Sequence, residues 1–379
     1  MKKILIIISN FNGVGGAETA TYRFLNKVDR NIFKIDVCFF GFEDDFVLSV
    51  KRIVNQVFCI DAKKCGLIST YFKLLKLIKA EKYDILHTHL ALADIYGLFL
   101  GFFTPVKLIS TEHNLSDRRK VTTLGRIYYR LAKWRTNHFV GVSSKIIHWL
   151  KTIGVPEKKL VLIPNPIELN EIRKGVFSKR DFCEYSHWPD DSIIVGTVAN
   201  FRPVKGLSYL IDSIKILTEA GFNVRLVIIG DGPERGNLEN QIRANQLTGH
   251  VRLLGFRKDI RDLLPLFDLY VSPSLMEGFG ISIVEAMSCG VPVVATEVGG
   301  VTDFLKHMKN SYLVKPGDPH ALAEGISYLI NNKTEAVKFS ACAYNDAHHY
   351  ETDDLVKYLE KLYMGDAHNF RCAGGINDL

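Results

Sequence analysis

Short runs dense in Val, Ile and Leu alternate along the chain with longer stretches in which apolar residues recur every three or four positions. A run that is apolar on both faces fits a strand buried inside a parallel sheet, and the amphipathic stretch after it fits the crossover helix such a sheet requires. The first half predicts strands at "KILIIIS" (3–9), "KIDVCFF" (34–40), "DILHTH" (84–89), "KLISTEH" (107–113), "HFVGVS" (138–143) and "LVLIPN" (160–165). Segment 164–192 breaks the pattern with three prolines, mixed charge and no period, and reads as a linker or interdomain crossing. The alternation restarts at "SIIVGTVAN" (192–200) and continues through "VRLVIIGDG" (224–232), "VRLLGF" (251–256), "DLYVSPS" (268–274) and "VPVVATE" (291–297). The expected fold class is α/β, with two doubly wound, Rossmann-like domains over residues 1–170 and 171–350 facing a central cleft. Ligands of such sheets sit beyond the carboxyl ends of the strands, so the residues just after each strand are the ones to read.

Composition narrows the class. A chain of 379 residues, 47% hydrophobic and 23% charged, has room for two ordinary domains and is neither fibrous nor disordered. Its seven cysteines are scattered, with no Cys-x-x-Cys, which fits free thiols in a reducing compartment. The apolar run Ile4 to Ile8 is shorter than an export signal, and Leu90 to Phe103 carries Asp94 and is too short to cross a bilayer. A cytoplasmic protein that does not span the membrane is expected. Residues 1–170 carry a net charge of +12 and residues 171–379 a net −5. The basic half either simply solvates its surface or faces something anionic, such as a membrane or a phosphorylated acceptor. No nucleic-acid-binding motif accompanies the charge, so no nucleic-acid partner is expected.

Candidate chemistry follows the strands. After the first comes "FNGVGGAET", where Gly13, Gly15 and Gly16 let the backbone approach a ligand ahead of a helix opening near Ala17. A turn that merely needs glycines reads the same way. The spacing is not Gly-x-Gly-x-x-Gly, and no convincing acidic strand end lies about 20 residues on, which counts against a nicotinamide site. In "ANFRPVKG", Arg202 and Lys205 stand at a strand end, where a guanidinium fork and an ammonium suit a diphosphate. "GDGP" (230–233) reads as a structural turn, and Phe256 and Arg257 in "LLGFRKDI" are candidates to border a nucleobase. In "SLMEGFGISIVEAMSCG" (274–290), Glu277 lies on a loop, and backbone amides around Gly278, Phe279, Gly280 and Ile281 open a helix. Glu285, one turn into that helix, can accept the adjacent hydroxyls of a ribose. Either glutamate alone is also explained as a stabilising charge near a helix N-terminus; together with Arg202 and Lys205 they suit a nucleotide joined through its diphosphate to a sugar.

With these blocks assembled, the chain resembles the retaining, nucleotide-sugar-dependent glycosyltransferases of family 4, which have the GT-B fold. The resemblance runs from "GVGGAE" through "TEHN", "IPNPI", "RPVKG" and "GDGP" to "EGFGISIVEAMSCGVPVVATEVGG", whose Glu-x7-Glu is the most specific part. It implies that Glu277 contacts the donor sugar, Glu285 the ribose, and Arg202 and Lys205 the leaving diphosphate. It further implies that Gly15 and Gly16 approach the donor phosphates and that His113 lies near the reacting sugar carbon. "IPNPI" stands where many relatives have Asn-Gly followed by an acidic residue, and Asp303 replaces a commoner Glu. The helix expected at 353–365 would cross back to the first domain, followed by a polar tail over 366–379 that reads as disordered.

The implied reaction is transfer with retention from a nucleotide-diphospho-sugar, a UDP-sugar ahead of a GDP-sugar. No Asp-x-Asp metal site is evident, so no metal or other cofactor is expected. In "SDRRKVTTLGRIYYRLAKWR" (116–135), Arg118, Arg119, Lys120, Arg126, Arg130, Lys133 and Arg135 are interleaved with Tyr128, Tyr129 and Trp134. Such a stretch suits either an ordinary solvated helix or an anionic membrane surface, the latter pointing to a lipid-diphosphate-linked saccharide acceptor at the inner face of the membrane in bacterial surface polysaccharide synthesis. Open alternatives are a small soluble acceptor and a nucleotide-sugar epimerase of the same fold.

Overall fold

The computed structural model describes residues 1–9, 15–41, 45–114, 122–169 and 178–366. They fall into two compact units, one of Met1–Ile167 with Tyr350–Leu379, the other Glu168–His349. The first unit is built on a seven-stranded sheet: β1 (Lys2–Ile8), β2 (Phe33–Phe39), β3 (Gln56–Cys59), β4 (Ile85–His89), β5 (Lys107–Glu112), β6 (His138–Gly141) and β7 (Leu160–Leu162). Its order is β3-β2-β1-β4-β5-β6-β7 and every pairing is parallel.

The second unit has six strands, β8 (Ile193–Val198), β9 (Val224–Ile229), β10 (Val251–Gly255), β11 (Leu269–Ser272), β12 (Val293–Thr296) and β13 (Tyr312–Val314). They pair in parallel in the order β10-β9-β8-β11-β12-β13. In each sheet the order reverses beside the first strand, between β1 and β4 and between β8 and β11. Crossover helices leave in opposite directions there, and a crevice opens at the strands' carboxyl ends. The edge strands β3 and β13 fell outside the sequence reading because they are four and three residues long and largely half-exposed, so neither makes a buried apolar run.

β1 shows why these runs form central strands: Ile4, Ile6 and Ile8 enter one core with Phe24, Ile85 and Ile109, while Leu5 and Ile7 enter another with Leu74, Leu86 and Leu108. Both faces exclude water, and alternation of side chains assigns each residue its side. The helix Thr352–Met364 belongs to the first unit and buries Val356, Leu362 and Tyr363 against the Ile4–Ile85 face. The cysteines of the described residues are free thiols.

Candidate active site

In the second unit, Asn200 to Gly206 leave β8 and Pro273 to Gly280 leave β11, the two strands flanking the order reversal. A 3-10 turn, Pro203–Lys205, closes through the Lys205 amide donating to the Arg202 carbonyl at 2.9 Å. Gly206 follows at φ 63°, and a Cβ there would stand 2.1 Å from the Pro273 carbonyl oxygen. That close approach lets the loops bond, the Leu275 amide donating to the Val204 carbonyl at 2.8 Å. The result is a direct ion pair: Lys205 Nζ donates to Glu277 Oε2 at 2.6 Å, and Ser274 Oγ adds a longer bond of 3.3 Å to the same oxygen. The side chains are only 22% and 15% exposed, so water screens them less than a surface pair.

The Glu277 backbone is pinned as firmly. Its carbonyl accepts from the Gly300 amide at 3.1 Å, and Gly299, at φ 50°, passes so close that a Cβ there would lie 1.8 Å from that oxygen. The helix Ile281–Ser288 opens without a side-chain cap, so its N-terminal amides and dipole favour an anion. The buried Tyr270 of β11 donates to Ser282 Oγ at 2.8 Å, tying the first turn to the sheet. Glu285 lies in that helix, half-buried. Phe279 differs from its expected neighbours: its ring is 2% exposed and packs on Phe304, so its side chain belongs to the core.

Arg202 is exposed and, among the described residues, its guanidinium takes no protein partner. Phe256 and Arg257 follow β10, which β9 separates from β8 in the sheet. The Phe256 ring is exposed, while Arg257 bonds Asp259 at 2.8 Å, which raises the guanidinium pKa and lowers that of the carboxyl.

The first unit assembles three imidazoles. His87 and His89, two apart on β4, point to the same sheet face. His87 Nδ1 meets the Tyr363 hydroxyl at 2.6 Å and its Nε2 meets Thr111 Oγ1 at 2.7 Å. His89 Nδ1 meets Nε2 of His113, just past β5, at 2.9 Å, and their rings stack at 5.2 Å. Burial, then the neighbouring His113, pushes the His87 pKa down to about 3, and burial with its two imidazole neighbours takes His89 well below the ordinary range. Both are therefore neutral at pH 7. A cavity of about 50 Å³ adjoins them, bordered by Thr21 and Phe24 of the helix Gly16–Lys27 and by Asn165. Gly15 caps that helix and Gly16 begins it, but neither lines the cavity. Gly13 lies outside the described residues, as do Arg118, Arg119 and Lys120.

Two family models match in tandem, Glycosyltransferase Family 4 over residues 14–171 and Glycosyl transferases group 1 over residues 179–346. The chain belongs to glycosyltransferase family 4. Its fold is GT-B: a crystal structure of Anabaena Alr3699/HepE in complex with UDP and glucose superposes with a TM-score of 0.85 at 23% identity, covering 96% of this chain and 100% of the other. The N-acetyl-alpha-D-glucosaminyl L-malate synthase of Bacillus anthracis is 26% identical over 77% of each chain. The UDP-Gal:alpha-D-GlcNAc-diphosphoundecaprenol alpha-1,3-galactosyltransferase of Escherichia coli is 24% identical over 83% of this chain and 84% of its own.

In this glycosyltransferase, then, Glu277 and Lys205 meet directly, Arg202 stands beside them on the same turn, and Glu285 lies on the helix opening from the same loop. Sequence reasoning passed over His87 and His89, although their alternation in "ILHTH" was the available signal, and over Tyr270 and Gly300, whose parts depend on contacts far along the chain.

Proposed function

We propose that this glycosyltransferase moves a sugar, with retention at the anomeric carbon, from a UDP-sugar to a lipid-diphosphate-linked saccharide during assembly of a bacterial surface polysaccharide such as capsule or lipopolysaccharide. It would work as a peripheral protein on the inner face of the membrane. The observation that carries the donor reading is the exposed Arg202 beside the Lys205–Glu277 pair, on loops shaped by Gly206 and Gly299.

The difficult part of such a transfer is charge, because a diphosphate must leave while the sugar carbon becomes cationic. Arg202 receives the arriving diphosphate. Lys205 exchanges its bond to Glu277 for one to phosphate, and the released Glu277 carboxylate accepts a sugar hydroxyl. Glu285 holds the ribose hydroxyls, and the amides opening the helix Ile281–Ser288 add fixed positive potential. In the first unit, His113, Gly15 and Gly16 are the residues assigned to substrate binding. Arg202 and Lys205 stand in for a divalent metal, and the departing phosphate takes the proton of the acceptor hydroxyl.

UDP is favoured because the Anabaena neighbour was crystallised with it and the E. coli relative is named for UDP-Gal. The acceptor reading draws on that relative's diphosphoundecaprenol substrate. The B. anthracis relative, named for L-malate, favours a small soluble acceptor as the second reading. Nucleoside diphosphate release from UDP-, GDP- and ADP-sugars, measured with EDTA and with lipid extract or soluble acids, tests both. Lipid-dependent, EDTA-resistant release from a UDP-sugar, lost in Glu285→Ala, is the expected result. Release driven by soluble acids alone would move the acceptor to the second reading.

A further inference from the structure

We propose that three helices of the first unit form one continuous apolar face, rimmed by cations, that docks on an anionic lipid bilayer. The proposal rests on the membrane reading above and deepens it by naming the surface. The helices are Leu67–Glu81, Ala91–Phe103 and Thr123–Arg135. On the first, Ile68 and Phe72 stand exposed one turn apart; on the second, Phe99, Phe102 and Phe103 do the same. On the third, Leu124, Ile127, Leu131 and Trp134 make an exposed stripe at helical spacing, with Trp134 85% exposed. A stripe of that period normally turns toward a core; this one turns toward solvent.

The three groups adjoin. The Tyr71 ring lies edge-on to Phe103 at 6.5 Å, and the Tyr96 hydroxyl donates to the Leu67 carbonyl at 3.2 Å, joining the first helix to the second. Arg135 Nη2 donates to the carbonyls of Thr104 at 3.1 Å and Val106 at 2.7 Å, locking the end of the third helix to the end of the second. Arg135 is thereby structural, whatever its charge suggested in the sequence.

Charge selects the occupant. These helices contain seven Lys or Arg and two carboxylates: Glu81 is bound to Lys3, and Asp94 is buried against Thr88 and Ser110. The exposed cations therefore meet no exposed carboxylate on the same helices. Lys73 and Lys76 rim the first helix, while Arg126 and Arg130 run beside the Leu124–Trp134 stripe. A groove beside Trp134, bordered by Arg130, Lys133 and Pro156, lies where lipid phosphates would stand if the indole sat at the interface. A second copy would suit the face poorly, since a two-fold contact would set these cations against each other. An anionic bilayer answers both the apolar band and its rim. The second helix opens at Ala91, two residues past His89, so the docking face is continuous with the strand that carries the imidazoles.

The test is sedimentation of the full chain with phosphatidylglycerol–phosphatidylcholine vesicles, with Trp134 fluorescence alongside. Wild type should bind the mixed vesicles at low salt, release at high salt, and ignore phosphatidylcholine alone. Its emission should shift to the blue on binding, and Trp134→Phe should lose that shift. Phe102→Ser/Phe103→Ser should weaken binding by about tenfold or more, and Arg126→Ala/Arg130→Ala should flatten the salt dependence. Val337→Ser, an exposed apolar position of the second unit, is the control and should bind as wild type. Unchanged binding of the aromatic pair and of Trp134→Ser, with native circular dichroism, would overturn the face. A dimer that the aromatic pair converts to monomer would reassign it to self-association. Vesicles carrying a lipid-diphosphate saccharide separate the two proposals: binding without transfer sinks the acceptor reading and leaves the face, whereas transfer indifferent to Phe102 and Phe103 does the reverse.

Discussion

In the first unit, His89 bonds His113 while His87 bonds Tyr363 and Thr111, whereas a lysine and a glutamate of the second meet at 2.6 Å on loops that only glycine can shape. One site is a buried polar network held neutral by the cost of desolvation; the other is a charged pair left partly open to solvent. Their surfaces differ in the same sense. Counted over each unit, the first carries a net +10 and presents the exposed aromatic helices, whereas the second carries −3. The difference suggests a division of labour, with charge handling concentrated where the backbone is pinned and surface contact where the cations gather. Changes that break one unit's device and spare the other can test it.

The largest effect is expected from the ion pair. Lys205→Ala should lower the transfer rate by about 10²–10³-fold, the usual loss when a preorganised partner of a developing charge is removed. It should also lower the melting temperature, since it leaves the mostly buried Glu277 carboxylate without its cation. Arg202→Ala, removing the exposed cation, should act mainly on donor KM, because it meets the diphosphate before and during departure. Equal and small losses in both variants would remove the diphosphate assignment from this turn.

A smaller effect separates backbone from side chain. Gly299→Ala forces a Cβ into the Glu277 carbonyl and should cost about 1–3 kcal/mol of stability while raising donor KM. Gly236→Ala, inside the helix Arg235–Ala244 with open space around it, should instead stabilise by about 0.5–1 kcal/mol. Thermal melts of both variants check the pair. If Gly299→Ala melted like wild type, the carbonyl contact would not be what holds Glu277.

The comparison also shows where sequence reading stops. Central strands were legible because Ile4 to Ile8 must be buried on both faces, and the Glu277–Glu285 block because glycines and carboxylates rarely share a strand end by accident. The Lys205–Glu277 bond was not legible, since it depends on how closely two loops 72 positions apart approach. Of the three-helix face only the third helix was legible, from its cations and aromatics, and of these Tyr128 and Tyr129 turn into the core while Trp134 stays exposed. An amphipathic stripe shows only that one side of a helix is apolar, and Leu124 to Trp134 could have faced a core until the neighbouring helices were in place.

The smallest effect concerns the first unit in acid. His87 is neutral in the folded protein down to about pH 3, whereas an unfolded histidine takes a proton below its ordinary value near 6.5. Between those limits the unfolded state binds the extra proton, so His87 costs no stability above pH 6.5 and an increasing amount as pH falls toward 3. The slope for one such group is about 1.4 kcal/mol per pH unit, and His89, lowered in the same direction, adds to it. In the second unit one histidine, His250, is lowered in the same direction by burial and then Arg225, against two in the first. Asp231 and Asp259 there are lowered by their arginines and lose their contribution only below the ordinary aspartate range. Hydrogen exchange at pH 7, 5.5 and 4.5 should therefore show β4 and β5 losing protection before β8 and β11. His87→Gln keeps hydrogen-bonding groups toward Tyr363 and Thr111 without the titration, and should reduce the acid slope of the first unit by about one proton. If both units lost protection together and the variant kept the wild-type slope, the neutral imidazole network would not be what makes the first unit sensitive to acid.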